Sequence, residues 1–150
     1  MELLLDKKKC EYMKNVANGS VIHEESTEII VSDRSHDIVR IVRSFGDVFV
    51  TEKEARDGKV SVTGNVKGVV LYMAEGEKSL RKIDVSMPFF HVFDADGVTA
   101  DSKLAVRIHL RSFDVREINP RKIAVRANID LSYRAFERAE RIICCDVCDG

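Results

Sequence analysis

Apolar and polar positions alternate most cleanly between residues 60 and 73. Val60, Val62, Val66, Val70 and Tyr72 share one phase, while Ser61, Thr63, Asn65 and Lys67 hold the other. Period two is the signature of a strand with one buried face. Val69, Leu71 and Met73 make the far end apolar in both phases, so that end calls for cover on both sides. Gly64 and Gly68 fall where a strand bends as its sheet curls. A second strand returns from the turn and stops at Pro88, before the aromatic cluster Phe89, Phe90 and Phe93.

The remaining segments read as strands added to this hairpin. Glu28 to Ser32 is short, and Val39 to Phe45 alternates apolar residues with arginine. Val48 to Glu54 and Lys59 to Val66 flank Asp57-Gly58, a strong hairpin signal because both residues tolerate positive φ. From Leu104 to Leu110 one phase is apolar, and Phe113 and Val115 take the other. That change places a β-bulge at Arg111-Ser112. After a turn at Asn119-Pro120, Ile123, Val125, Ala127, Ile129, Leu131 and Tyr133 alternate without error. From Arg134 the spacing becomes helical, with Phe136, Ala139 and Ile143 on one side and Glu137 four residues before Arg141.

The expected fold is all-β: a curved antiparallel sheet, sandwich or open barrel, of at least seven strands. Val62, Val66, Val70, Tyr72, Ile108, Val125, Ile129 and Leu131 point inward. Residues 1–27, with mixed charge and an Asn18-Gly19 turn, read as a mobile N-terminal leader. Residues 28–134 form the β domain, and 135–150 a short helical, cysteine-rich tail.

A chain of 150 residues is a natural single domain that folds without needing its cysteines. Lys plus Arg number 24 against 25 Asp plus Glu, so no net field draws nucleic acid or an anionic membrane. No apolar run is long enough to span a bilayer as a helix. The three lysines Lys7 to Lys9 follow the apolar Leu3 to Leu5, the reverse of a signal peptide, which predicts synthesis in the cytoplasm. Trp is absent, and nothing suggests a stacking platform for sugars or bases.

Four ordered motifs carry a resemblance. They are Val62-Thr63-Gly64, then Val70-Leu71-Tyr72-Met73, then Met87-Pro88-Phe89, then Ile118-Asn119-Pro120-Arg121-Lys122-Ile123-Ala124-Val125. Over about residues 28 to 134 the chain resembles the SPOCS domain, a family of spore coat and spore envelope assembly domains of endospore-forming bacteria. The resemblance implies a β-rich structural module without catalysis, deposited on the spore surface or coat after synthesis. Its partners would be itself and other spore envelope proteins. The chain reads as a standalone copy, without the peptidoglycan-binding LysM module that often follows such domains.

The cysteines depart most from that pattern. Cys145 and Cys148 have C-x-x-C spacing, with Cys144 adjacent and Cys10 at the other end of the chain. A tetrahedral zinc site needs four ligands, and the second half of a zinc knuckle is missing. A redox C-x-x-C normally opens a helix, whereas this one follows the expected helix. The favoured reading is cross-linking: Cys10, Cys144, Cys145 and Cys148 are intermolecular disulfide candidates, with no metal and no cofactor. Zinc or redox chemistry at the same four thiols is the alternative.

Other candidates are weaker. Asp94-Ala95-Asp96-Gly97 has its glycine too early for a calcium loop and reads as a turn. His91 and His109 have no serine or cysteine placed for activation, so they read as packing and surface residues. Phe89, Phe90 and Phe93 either cap the sheet or form an interface patch, and Arg121 and Lys122 read as edge-protecting charges or interface residues. The functional expectation is a non-enzymatic, self-assembling protein of the spore envelope. Its leader adds a strand to a neighbouring copy, building a ring, layer or fibre that the terminal disulfides fix.

Overall fold

The computed structural model describes residues 7–144. Six strands follow one another: β1 (Lys7–Ile30), β2 (Ile38–Arg56), β3 (Lys59–Ala74), β4 (Leu80–Asp94), β5 (Lys103–Asn119) and β6 (Lys122–Cys144). They form two three-stranded antiparallel sheets, ordered β1-β6-β5 and β2-β3-β4. The sheets pack face to face as a sandwich. Along one side β2 lies close against β5, and along the other β1 and β4 approach more sparingly.

The two central strands face each other across the core, which explains why their alternation is the cleanest. Val60, Val62, Val66, Val70 and Tyr72 of β3 are buried, as are Ile123, Val125, Ala127, Ile129, Leu131 and Tyr133 of β6. Ile108 packs against this core from β5, half-buried. The bulge expected at Arg111 is present as a register shift between Leu110 and Ser112. The Asp57-Gly58 turn has φ of 47° and 75°, the two positive values a two-residue hairpin requires.

The glycines make room for aromatic rings. Gly46 and Gly68 are cross-strand partners, and Phe113 of the opposite sheet lies over both. The Phe89 ring lies over its own cross-strand partner Gly64. Each ring occupies the volume a Cβ would take, an aromatic covering of a glycine within a sheet. The pairing of β2 with β3 shifts register at three points, the irregularity by which a strand bends and twists.

Three expectations are corrected. No helix occurs among the described residues, and β6 runs straight through the segment read as helical to Cys144. Residues 7–27 are not a mobile leader, for they belong to β1, which pairs with β6 from Lys7↔Cys144 to Ile30↔Lys122. The described strands number six rather than seven, because the strands expected at Val39 to Phe45 and Val48 to Glu54 are one strand, β2, while the short strand expected at Glu28 is the end of the longer β1.

The β1–β6 pairing is reinforced on its outer face by diagonal ion pairs: Glu11–Arg138 at 3.0 Å, Glu24–Arg126 at 3.1 Å and Glu28–Lys122 at 2.6 Å. In each, the glutamate lies two residues before the direct partner of the cation. A constant offset is what a uniformly twisted pair presents to long side chains.

Candidate functional site

The terminal segments come together first. Residues 137–144 of β6 extend past the start of β5, whose pairing with β6 begins at Lys103↔Phe136. There β6 pairs with residues 7–14 of β1 alone, forming a two-stranded ribbon about 25 Å long at 3.3 Å per residue. Both outer edges of this ribbon are unpaired among the described residues. Cys10, half-buried, lies opposite Arg141, and Cys144 lies opposite Lys7. Three residues of register put Cys10 and Cys144 roughly 10 Å apart, beyond the 7 Å limit between the Cα atoms of a disulfide. These two cysteines therefore share a tip but do not bridge within one chain. Cys145 and Cys148 lie outside the described residues. Among the described residues no group of three or more His, Cys, Asp or Glu could hold a metal ion.

Arg121 and Lys122 open a central strand, so edge protection is not their role. The Arg121 guanidinium donates to the carbonyls of Ser35 (2.6 Å), Ser32 (2.8 Å) and Val31 (3.3 Å), and Nη1 also reaches Asp37 Oδ1 at 3.2 Å. The backbone reinforces this, with Val31 N donating to Arg121 O and Ile38 N to Pro120 O, both at 2.8 Å. The β5–β6 turn thereby holds the crossover from β1 to β2. Lys122 is occupied by Glu28.

The aromatic cluster divides. Phe89 and Phe93 face inward and are buried, so they are core and not interface, whereas Phe90 points outward and is 59% exposed. Inside the β1/β4 seam runs a chain of rings. His23 lies 5.5 Å from Phe89 and 5.4 Å from His91, His91 lies 4.6 Å from Phe93, and Phe93 lies 4.7 Å from Tyr133. Burial, then the neighbouring His23, push the His91 pKa below its usual value. Burial raises that of Tyr133. His23 Nε2 is 2.8 Å from Glu25 Oε1. His23 was absent from the sequence reading because a histidine in a mixed-charge segment carries no periodic signal.

The Asp94–Gly97 loop is a turn tied to the β2–β3 hairpin: Gly58 N donates to Val98 O at 2.8 Å and Ala95 N to Gly58 O at 2.7 Å. His109 is exposed on the outer face of β5, opposite Asp130.

A surface the sequence reading did not single out as a site covers the outside of the β2-β3-β4 sheet. Phe45, Phe49, Leu80, Phe90 and Val92 are exposed there, at 39 to 59%. Val69, Leu71 and Met73 run up the middle, half-buried. Their apolar character in both phases was the signal, and within one chain the outer side stays open. Two cations lie on rings of this face, Arg43 at 4.7 Å from the Phe45 centroid and Lys67 at 5.7 Å from that of Phe49.

The architecture defines an antiparallel β-sandwich whose exposed chemistry lies on sheet faces and strand edges. The chain belongs to the SipL, SPOCS domain family, whose family model matches residues 37–119. That span takes in β2 to β5, and β1 and all of β6 lie outside it. No curated protein and no solved structure matches the chain.

Proposed function

We propose that this protein is a structural, self-assembling component of the bacterial endospore envelope, whether coat, exosporium or surface appendage, and acts by association and not by turnover. The observation that carries the reading is its membership of the SPOCS domain family, which points to a role in sporulation. The terminal ribbon supports the self-assembling part, since its two unpaired edges are templates for strands of neighbouring copies. Exchange of β1 between copies is a further route, because only the crossover 31–37 ties that edge strand to the rest of the chain. Cys10 is a free thiol out of backbone reach of Cys144, and Cys10, Cys144, Cys145 and Cys148 are the candidates to bridge between copies. The protein is made in the cytoplasm and deposited on the spore surface, beside other envelope proteins.

Electron microscopy of the purified protein with and without reductant tests this, together with non-reducing electrophoresis. Ordered assemblies and a thiol-sensitive ladder that shortens in Cys10→Ser are the expected result. A monodisperse monomer with every thiol open to alkylation would refute it. Stoichiometric zinc in reduced protein would direct the cysteines to metal binding instead.

A further inference from the structure

The outer face of the β2-β3-β4 sheet has an order along its strands that its composition conceals. Along β2 the outward residues run Arg43, Phe45, Asp47, Phe49 and Glu52, as fixed by their pairing with the outward residues of β3. Arg40 extends the basic end and Glu54 the acidic end. The column is cationic at one end, anionic at the other, and carries a phenylalanine on either side of its midpoint. Among the described residues Arg40, Arg43 and Glu52 have no ion-pair partner, and Glu54 reaches only Arg56, at 3.9 Å. Arg43 and Glu52 stand about 30 Å apart on the strand at 3.3 Å per residue, so they cannot satisfy each other within one chain.

We propose that this face is a two-fold docking surface for a second copy of the chain, packed sheet against sheet with the strand ends reversed. A two-fold axis across the strands at Asp47 leaves each column facing its own copy turned end for end. Arg43 then faces Glu52 of the second copy, Arg40 faces Glu54, and Phe45 meets Phe49. On β4, Lys82 comes over the exposed ring of Phe90 and Leu80 meets Val92. At the axis Asp47 faces its own copy and Lys67 faces its own, each like-charged contact flanked by the opposite charge of the cross-strand partner. The opposite choice, an axis along the strands, would set the basic ends of the two β2 columns at the same level, and the acidic ends likewise, so it forms none of these pairs.

The size suffices. Seven rows by three strands cover about 40 Å by 14 Å, so roughly 600 Å² per copy and about 1,200 Å² in total, at the lower end of specific interfaces. Aligned sheets cross at about 30°, which separates rows far from the axis. Arg43 with Glu52 therefore contributes more than Arg40 with Glu54.

The inference rests on the self-association proposed above and names a surface for it distinct from the terminal ribbon. Sedimentation velocity on the full chain, reduced and alkylated so that no disulfide contributes, tests it. The expected result is a reversible association that weakens in high salt. Arg43→Glu and Glu52→Arg should each loosen it about tenfold or more, and Arg43→Glu with Glu52→Arg together should restore it. Wild-type association untouched by either single change would overturn this interface and leave self-association standing. Single changes that weaken association with no recovery in the double variant would overturn the reversed pairing. A wild-type chain monomeric at every accessible concentration would overturn self-association itself, and this interface with it.

Discussion

Arg121 on the β5–β6 turn donates to the carbonyl oxygen of Ser35 at 2.6 Å, fastening the β1–β2 crossover of a residue 86 positions away. The same guanidinium reaches Ser32 and Val31, so one planar fork satisfies several carbonyls that would otherwise depend on water. Arg121→Ala should lower unfolding free energy by about 1 to 3 kcal/mol in chemical denaturation. Arg121→Lys should recover little, since a point charge on a flexible stem cannot reproduce the fork.

At Gly68 an added Cβ would lie 2.6 Å from the Phe45 carbonyl oxygen, a backbone atom that cannot swing aside, and against the Phe113 ring. Gly68→Ala should cost about 1 to 3 kcal/mol, the range of an overpacked core. Thermal unfolding measures it. A neutral Gly68→Ala would mean that the sheets do not approach at Phe113 as described.

His91 makes stability fall on acidification. Its folded pKa is depressed by burial and by His23, so below the ordinary value of 6.5 the unfolded chain binds the proton more readily. The contribution is complete above that value and is lost as pH falls toward the folded pKa. His91→Phe, which keeps a ring beside Phe93, should flatten the pH dependence of the denaturation midpoint between about pH 7.5 and 5.

Truncation separates the two parts of β1. Removing residues 1–15 takes away one strand of the ribbon only and should leave a cooperative fold. Removing residues 1–27 also strips most of the β1 partner from β6, exposing the edge of Leu131, Ile129 and Ala127, and should abolish cooperative unfolding. Circular dichroism with denaturant titration reads both.

The strands that bury a face on the core were legible, because the core imposes the period: the β3 and β6 alternations, the Arg111 bulge and the Asp57-Gly58 turn all stood in the sequence. β1 was not, because its inward residues Val21, His23, Glu25, Thr27 and Ile29 line the looser β1/β4 seam, where polar side chains remain half-exposed. The ribbon was misread as helix for a related reason. Two strands paired without a third lack the core contact that imposes period two on a sequence, so this stretch was open to a helical reading. The order of charges along the outer β2 column was invisible for another cause: Arg43 and Glu52 have no ion-pair partner among the described residues of one chain.

Lys7 and Cys144 are direct register partners, so the chain enters and leaves the described fold at one tip. Tension applied between those two ends would open the ribbon like a zipper, one rung at a time, with little resistance at any moment. Tension between that tip and the Arg121 end of the sandwich would instead shear whole strands against each other, loading many rungs together. A subunit gripped by its tip on one side and its far end on the other is thus mechanically strong along its length.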